Sequence, residues 1–487
     1  MQTRTISRFS YLFVASLLFL FEAVKINEGV WTGDFWSHAA VVKELTVNLS
    51  LPSHPILDSS VPHAFFSPYS VLVATVARVF DLGAIEALSL FAYLNLLFLL
   101  TCFFFFIKKV VRDHHQLTAS ISLVLVLFLW GQHPPNYSGF FHFYTLHYVL
   151  PYPSTFAMGV SLLVLCLLTK EHPGPLRLIL VTLLSAVVFI SHPTTAVFLF
   201  IAMAALWFVF YRKHVKALIL TLSIIVLSVL LSLFWPYYKI TDLYTGDISD
   251  FLADSLPLYS DVLQYTWPAL LILPFAWHFR KHQTAQFFFV TAFLLFLVYA
   301  AGYFTKIYGV SRLLSNVMMM AQCGIGWMVV NNWQQKRRMF SYTVAVALVL
   351  FICTFINRYR LAGTIFRAEA GRYYQRYQFL ESMSDTTLIL ADMEANLVIP
   401  AYGPKVIASK HPVYWINDMH ARREDVIFFF SNEPDINGRE SILQQYRPQY
   451  ILIDHAIETN SQLSGWIRSR GKTVYHRDKL ELIRLAQ

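Results

Sequence analysis

The 487-residue chain is short of charge. Asp, Glu, Lys and Arg make up only 14% of it, against about 25% in soluble domains. That shortage excludes an ordinary soluble domain. Cysteine is also scarce: Cys102, Cys166, Cys323 and Cys353 each lie inside an apolar run. No CxxC or Cys/His cluster exists, so neither a disulfide framework nor a zinc site is supported. Internal repeats and low-complexity tracts are missing. The basic excess, 38 Lys and Arg against 29 Asp and Glu, sits mostly in short loops between apolar runs. It reflects membrane topology and not a nucleic-acid partner. What is abundant is apolar: 56% of residues, with a mean hydropathy of +0.51. Runs of about 20 apolar residues recur along most of the chain, the length that crosses a hydrocarbon core.

These features give a polytopic α-helical membrane bundle of about eleven spans: 9–24, 87–107, 117–131, 151–169, 175–190, 195–211, 217–235, 262–279, 284–302, 313–332 and 340–357. The run Phe9–Val24 follows Arg4 and Arg8 and has no small-residue cleavage site before Glu28, so it reads as a retained signal anchor. With the N-terminus in the cytoplasm, the alternate loops are Lys108–Arg112, Lys170–Arg177, Tyr211–Lys216, Arg280-Lys281 and Lys336–Arg338. All are short and basic, as inside loops are. The other side receives loops 25–86, 131–150, 236–261 (with Asp242, Asp247, Asp250, Asp254 and Asp261) and 303–312, and the tail. Segment 64–80 is nearly long enough to cross, but a crossing would invert every later basic loop. It is expected to be a juxtamembrane or re-entrant helix. The domains are therefore a transmembrane domain, 1–360, with its first outer loop 25–86, and a small extracytoplasmic α/β domain, 361–487. In the tail, Thr387–Ala391, Lys405–Ala408 and Tyr450–Asp454 have strand character, and 420–430, 438–447 and 459–469 are helical.

Candidate chemistry gathers in the outer loops. Asp34 and His38 lie four residues apart just after the first run, so a helix starting there would place them on one face. A carboxylate and an imidazole beside a bilayer form a catalytic hypothesis. The competing role for Asp34 is the N-cap of a helix over 35–47. The same loop holds His54, Asp58 and His63; loop 131–150 holds His133, His142 and His147; Ser191-His192-Pro193 ends another span. An interfacial aromatic belt would explain the tyrosines and tryptophans of this face. Lys306 and Arg312 flank Tyr308. No nucleotide pool exists outside the cytoplasm, so an extracytoplasmic transferase needs a lipid-borne donor. A polyprenyl-phosphate sugar carries its own leaving group, whose phosphate benefits from a fixed cation. Arg312 suits that role, with Lys306 assisting; simple snorkelling at a span end is the alternative. Asp34 suits the base that the acceptor hydroxyl needs.

Gly33-Asp34-Phe-Trp-Ser-His38, the Pro62–Phe80 segment with Ser67-Pro68-Tyr69, Ser191-His192-Pro193-Thr194, and the tail segments Leu390-Ala-Asp392, Ile399-Pro-Ala-Tyr-Gly403 and Tyr446–Asp454 together resemble the GT-C-type integral membrane glycosyltransferases. The resemblance covers the layout of nearly the whole chain. It implies an inverting transfer from a polyprenyl-phosphate sugar, with Asp34 as the base or the carboxylate that orients the acceptor. Arg312 and Lys306 keep the donor phosphate by position, and Asp58, His54, His142 and His192 are the outer-loop candidates for substrate binding, able to take the place of a second acid. Many members carry paired acids in the first loop, or a second acid in the next catalytic loop. Here Phe35 follows Asp34, and loop 131–150 has no carboxylate. That leaves a divalent-cation requirement open, because such an ion prefers several oxygen ligands. Size and first-loop spacing look most like bacterial arabinofuranosyltransferases of the inner membrane. The acceptor so implied is a surface protein such as pilin, or a glycan.

Three other classes compete. A lipid-linked polysaccharide polymerase or ligase usually relies on arginines in a large later outer loop, and loop 236–261 has none. A transporter puts ionisable groups at mid-membrane depth and often shows repeated halves, neither of which is visible here. A non-catalytic scaffold is separated from an enzyme by whether the Asp34→Asn protein inserts, folds and still transfers sugar.

Overall fold

The computed structural model describes residues 2–169, 174–245, 255–272, 281–334, 340–366, 373–411, 413, 415–432, 435–456 and 461–486. Lys170, Arg280, Lys336–Arg338, Asp247, Asp250 and Asp254 fall outside these residues. The chain divides into two compact units. One comprises Met1–Glu28, Phe91–Trp235 and Ser249–Glu369; the other comprises Gly29–Leu90, Pro236–Ile248 and Ala370–Gln487.

The first unit is all-helical and built for lipid. On helix Gln2–Glu28, Phe9, Leu12, Phe13, Leu17, Leu20 and Val24 form an exposed stripe at helical spacing, while Tyr11, Ala15, Leu18 and Glu22 are buried. Helix Val215–Ser232 repeats this inside-out pattern: Ile219, Leu222, Val226 and Leu230 face outward, and Ser228 and Ser232 face in. The Ser228 hydroxyl donates to the Thr182 carbonyl of a neighbouring helix at 3.1 Å, the small-polar contact that packs helices in a bilayer. The central helix, Leu314–Gln334, is almost wholly buried. It approaches helix His115–Phe128 so closely that a Cβ on Gly326 would lie 2.4 Å from the Ser122 hydroxyl.

Among the described residues, six helices are long and apolar enough to cross a membrane: Phe9–Glu28, Ala84–Val110, Pro193–Tyr211, Val215–Ser232, Gln283–Phe304 and Tyr308–Trp333. The pair Tyr342–Ile356 and Arg358–Ile365, bent by 69°, would make a seventh. Eleven apolar runs thus yield six or seven helices of crossing length among the described residues. The runs near 117–131, 151–169 and 175–190 form helices of 14, 16 and 17 residues. At 1.5 Å per residue these reach about 21–26 Å, short of a roughly 30 Å core. Segment 64–80 yields the 13-residue helix Pro68–Phe80, also too short to span, with the Ser67 hydroxyl capping the Ser70 N–H at 3.2 Å.

The second unit is α/β. Its five strands are β1 (Leu388–Leu390), β2 (Lys405–Val406), β3 (Tyr450–Asp454), β4 (Gly471–Arg477) and β5 (Leu480–Leu485), in sheet order β2-β1-β3-β5-β4. β1 is parallel to both β2 and β3, and β5 is antiparallel to β3 and β4. Helices Met419–Phe429, Ile436–Tyr446 and Ser461–Ser469 accompany the sheet. The first loop belongs to this unit and does not stand apart from it. Leu57 bridges Val406 in parallel, and the Val406 N–H donates to the Ile56 carbonyl at 2.9 Å. Glu44 and Lys405 form a buried ion pair at 2.8 Å. The Trp36 ring meets Tyr374 edge-on at 5.0 Å.

Candidate functional site

Asp34 stands immediately before helix Phe35–Val47, the span expected from sequence, but its side chain makes no capping hydrogen bond. The carboxylate instead faces His411 of the tail, Oδ1 lying 3.4 Å from Nδ1, with Asp34 42% and His411 29% exposed. The loop carrying His411 is held from behind. Arg423 donates through Nε to the Ser409 carbonyl at 2.8 Å and through Nη2 to the His411 carbonyl at 3.0 Å. Lys410 pairs with Glu394. The acid thus keeps its oxygens toward solvent while a second side chain fixes its orientation, a geometry suited to taking a proton from a hydroxyl.

His38, one turn along, points inward. It is buried and stacks on Phe65 at 4.6 Å. Burial pushes its pKa down to about 4, with Asp34 raising it and His411 lowering it. His63 lies beyond, its Nδ1 accepting the Phe65 N–H at 3.1 Å, and burial together with His38 depresses it to about 3. His54 follows at 5.1 Å from the His63 ring, its Nδ1 accepting the N–H groups of Ile56 and Leu57 at 3.2 and 3.0 Å. Burial, then His63, Lys405 and Arg422, keep it neutral. Asp34, His38, His63 and His54 therefore form one acid and a run of three neutral imidazoles leading inward. Asp58, in contrast, is exposed on the same loop.

The remaining candidates lie in the helical unit. Arg312 sits in the turn Tyr308–Leu313, half-buried, its guanidinium 5.7 Å from the centre of the Tyr137 ring in loop 131–150. Lys306 is exposed, with a left-handed φ of +60° just past helix Gln283–Phe304. Loop 131–150 is tied to the bend at residue 357. Asn357 Nδ2 donates to the Gly131 carbonyl at 3.0 Å, and Arg360 Nη1 to the Pro134 carbonyl at 3.3 Å. His142 is fully buried, with Nε2 2.8 Å from the Pro135 carbonyl, and burial lowers it to about 4. His192 caps helix Pro193–Leu206 by accepting the Thr195 N–H at 3.3 Å.

Beyond Arg312 an apolar cavity of about 840 Å³ opens between helices. Leu314, Val317, Met318 and Ala321 line it along two turns of the central helix, facing Phe289, Phe293 and Phe296. Two further residues were invisible to sequence reasoning. His411 lies in a loop with no motif. Glu22 lies inside the first span, fully buried, with Oε2 3.9 Å from His147 Nδ1. An acid in such a place is a functional candidate in its own right. Among the described residues no three His, Cys, Asp or Glu side chains converge so as to hold a metal ion. A divalent cation therefore finds no ready ligand set among them.

Comparison with protein-family models and with curated protein sequences gives no match. Solved structures do match. The crystal structure of ArnT from Cupriavidus metallidurans, bound to undecaprenyl phosphate, aligns with a TM-score of 0.53 at 11% identity over 97% of each chain. The Archaeoglobus fulgidus oligosaccharyltransferase, solved in complex with zinc and sulfate, aligns with a TM-score of 0.53 at 10% identity over 94% of this chain and 68% of that one. Identities this low carry the fold and not the role of any residue. The chain has the fold of the GT-C-type membrane glycosyltransferases, the group its sequence segments resemble.

Proposed function

We propose that the protein transfers a sugar from a polyprenyl-phosphate donor to an acceptor outside the cytoplasm, with inversion at the anomeric carbon. Asp34 takes the proton of the acceptor hydroxyl. The resulting oxygen attacks the anomeric carbon on the face opposite the phosphate, the bond from that carbon to the phosphate oxygen breaks, and polyprenyl phosphate leaves. Arg312, with Lys306, neutralises the charge that grows on the departing phosphate. His411 orients Asp34, and His38 packs behind it as a neutral imidazole. Asp58, His54, His142 and His192 are assigned to the surroundings of the substrates. His54, His142 and His192 act there by holding backbone.

One observation carries this reading. The Arg312 guanidinium stands two residues before Leu314, where the central helix begins to line an apolar cavity of about 840 Å³, in a fold shared with an enzyme crystallised with undecaprenyl phosphate. A phosphate clamp beside an apolar slot suits a lipid-linked phosphate ester. The sugar is taken to be a pentofuranose such as arabinofuranose, and the acceptor a surface protein such as pilin, or a glycan. The chain is placed in a bacterial inner membrane, N-terminus inside, with 361–487 outside.

The test is mass analysis of lipid-linked sugars and glycosylated surface material from cells with and without the protein. Loss of one glycoform together with accumulation of one lipid-linked sugar is the expected result. Unchanged lipid-linked sugars would remove the proposal.

A further inference from the structure

A second cavity, polar and of about 460 Å³, lies in the helical unit, far from Arg312. It opens beside His282, at the start of helix Gln283–Phe304, whereas Lys306 follows that helix's other end. Twenty-two residues of helix separate the two ends by about 33 Å. The cavity is thus at the end of the bundle where the short basic loops lie, and it has no part in the chemistry assigned to Asp34 and Arg312.

Its walls suit an anion. Lys109 and Arg112 line it, with His114 and His282, and Asp113 is the opposing charge. Two helices begin at its edge, His115–Phe128 and Gln283–Phe304, and in neither does the N-cap side chain make a capping hydrogen bond. Their first backbone N–H groups therefore lack that partner, and the positive ends of both dipoles converge there. An independent observation points the same way. Thr118, 0% exposed, lines the cavity, and its hydroxyl has no hydrogen-bond partner among the described residues. A buried hydroxyl left in that state costs stability unless something outside the chain completes it.

We propose that this cavity is a binding site for a phosphate ester, gripped by Lys109 and Arg112 and completed by the Thr118 hydroxyl and the helix N-termini. Two sources supply that chemistry: the head group of an anionic membrane lipid, or a soluble phosphate compound. Basic pockets between transmembrane helices hold lipid head groups in this way. A ligand that binds only the folded state raises its stability, so occupancy is read as a thermal shift.

The experiment uses the full chain, purified in detergent and stripped of lipid. One arm adds inorganic phosphate against sodium chloride of equal ionic strength. The other compares phosphatidylcholine nanodiscs with and without phosphatidylglycerol. A rise in melting midpoint in either arm is expected. A rise with phosphatidylglycerol alone identifies a lipid head group, and a rise with phosphate identifies a soluble ligand. Lys109→Gln with Arg112→Gln should weaken the binding about tenfold or more, as loss of charge-assisted contacts does. Should that double variant fold poorly, Thr118→Val keeps the side-chain volume and should still weaken binding severalfold while the ligand-free midpoint holds or rises, the unpaired hydroxyl being gone. No shift in either arm, or a shift undiminished in both variants, overturns the proposal.

Discussion

Asp34 occupies the position of a helix cap without doing a cap's work. Its carboxylate is turned to His411, and the imidazole is fixed through the Ser409 and His411 carbonyls held by Arg423. An orienting group of this kind acts through the acid it holds. His411→Ala should therefore lower the transfer rate by about 10–100-fold and leave the melting midpoint and donor affinity unchanged. A large fall in midpoint with rate per folded molecule intact would make His411 purely structural. The neutral imidazoles behind Asp34 give a second prediction. His38 and His63 are held at about 4 and about 3, below the ordinary histidine value of 6.5. Below pH 6.5 the unfolded chain therefore binds more protons than the folded one, and stability falls as pH drops, levelling off only near the folded values. For His38 the loss between pH 7 and 4 is on the order of 3 kcal/mol. Melting measured across that window should be less steep for His38→Gln than for the natural chain; equal slopes would contradict the assignment.

Helix Phe35–Val47 meets the sheet through Glu44 and Lys405, which are buried against each other, while Glu44 also accepts the N–H and hydroxyl of Ser53 at 2.7 and 2.8 Å. Removing one member leaves a buried charge without its partner. Lys405→Ala should cost about 3–5 kcal/mol. Glu44→Gln with Lys405→Met should cost much less, since the amide oxygen still serves Ser53 and no charge is stranded. Denaturant melts of the two variants decide between these outcomes. The same elements show what sequence can and cannot convey. Helix 35–47, the β1, β2 and β3 strands and three tail helices were legible, because Asp34 marks the start of the first and apolar runs of strand length stand between polar ends. The hairpin β4–β5 was not. Its turn is Asp478-Lys479, both with left-handed φ, and it lacks the glycine that announces such turns. β4 is largely exposed and so carries no apolar run. His411 was missed for a related reason: its meaning arises from pairing across 377 residues of chain with Asp34, which no local pattern encodes.

At the scale of the whole molecule, composition spoke clearly for a membrane bundle and poorly for its count of spans. The apolar run at 117–131, for one, forms a helix of 14 residues, His115–Phe128. Assignment of the first loop was also beyond reach from sequence, since Leu57–Val406 and Glu44–Lys405 are contacts between distant segments. The grouping has a chemical consequence: the acid near the start of the chain is held by the tail. Loss of the tail is therefore expected to abolish the Asp34 geometry along with the sheet. In the proposed reaction this one carboxylate is the base for transfer from a lipid-borne sugar. The most direct measurement is single-turnover transfer by purified Asp34→Asn protein, supplied with the lipid-linked sugar that accumulates in cells lacking the enzyme. The rate should fall by about 10²–10⁴-fold with insertion, melting midpoint and donor binding unchanged. Transfer by Asp34→Asn or Asp34→Ala at the natural rate would contradict it.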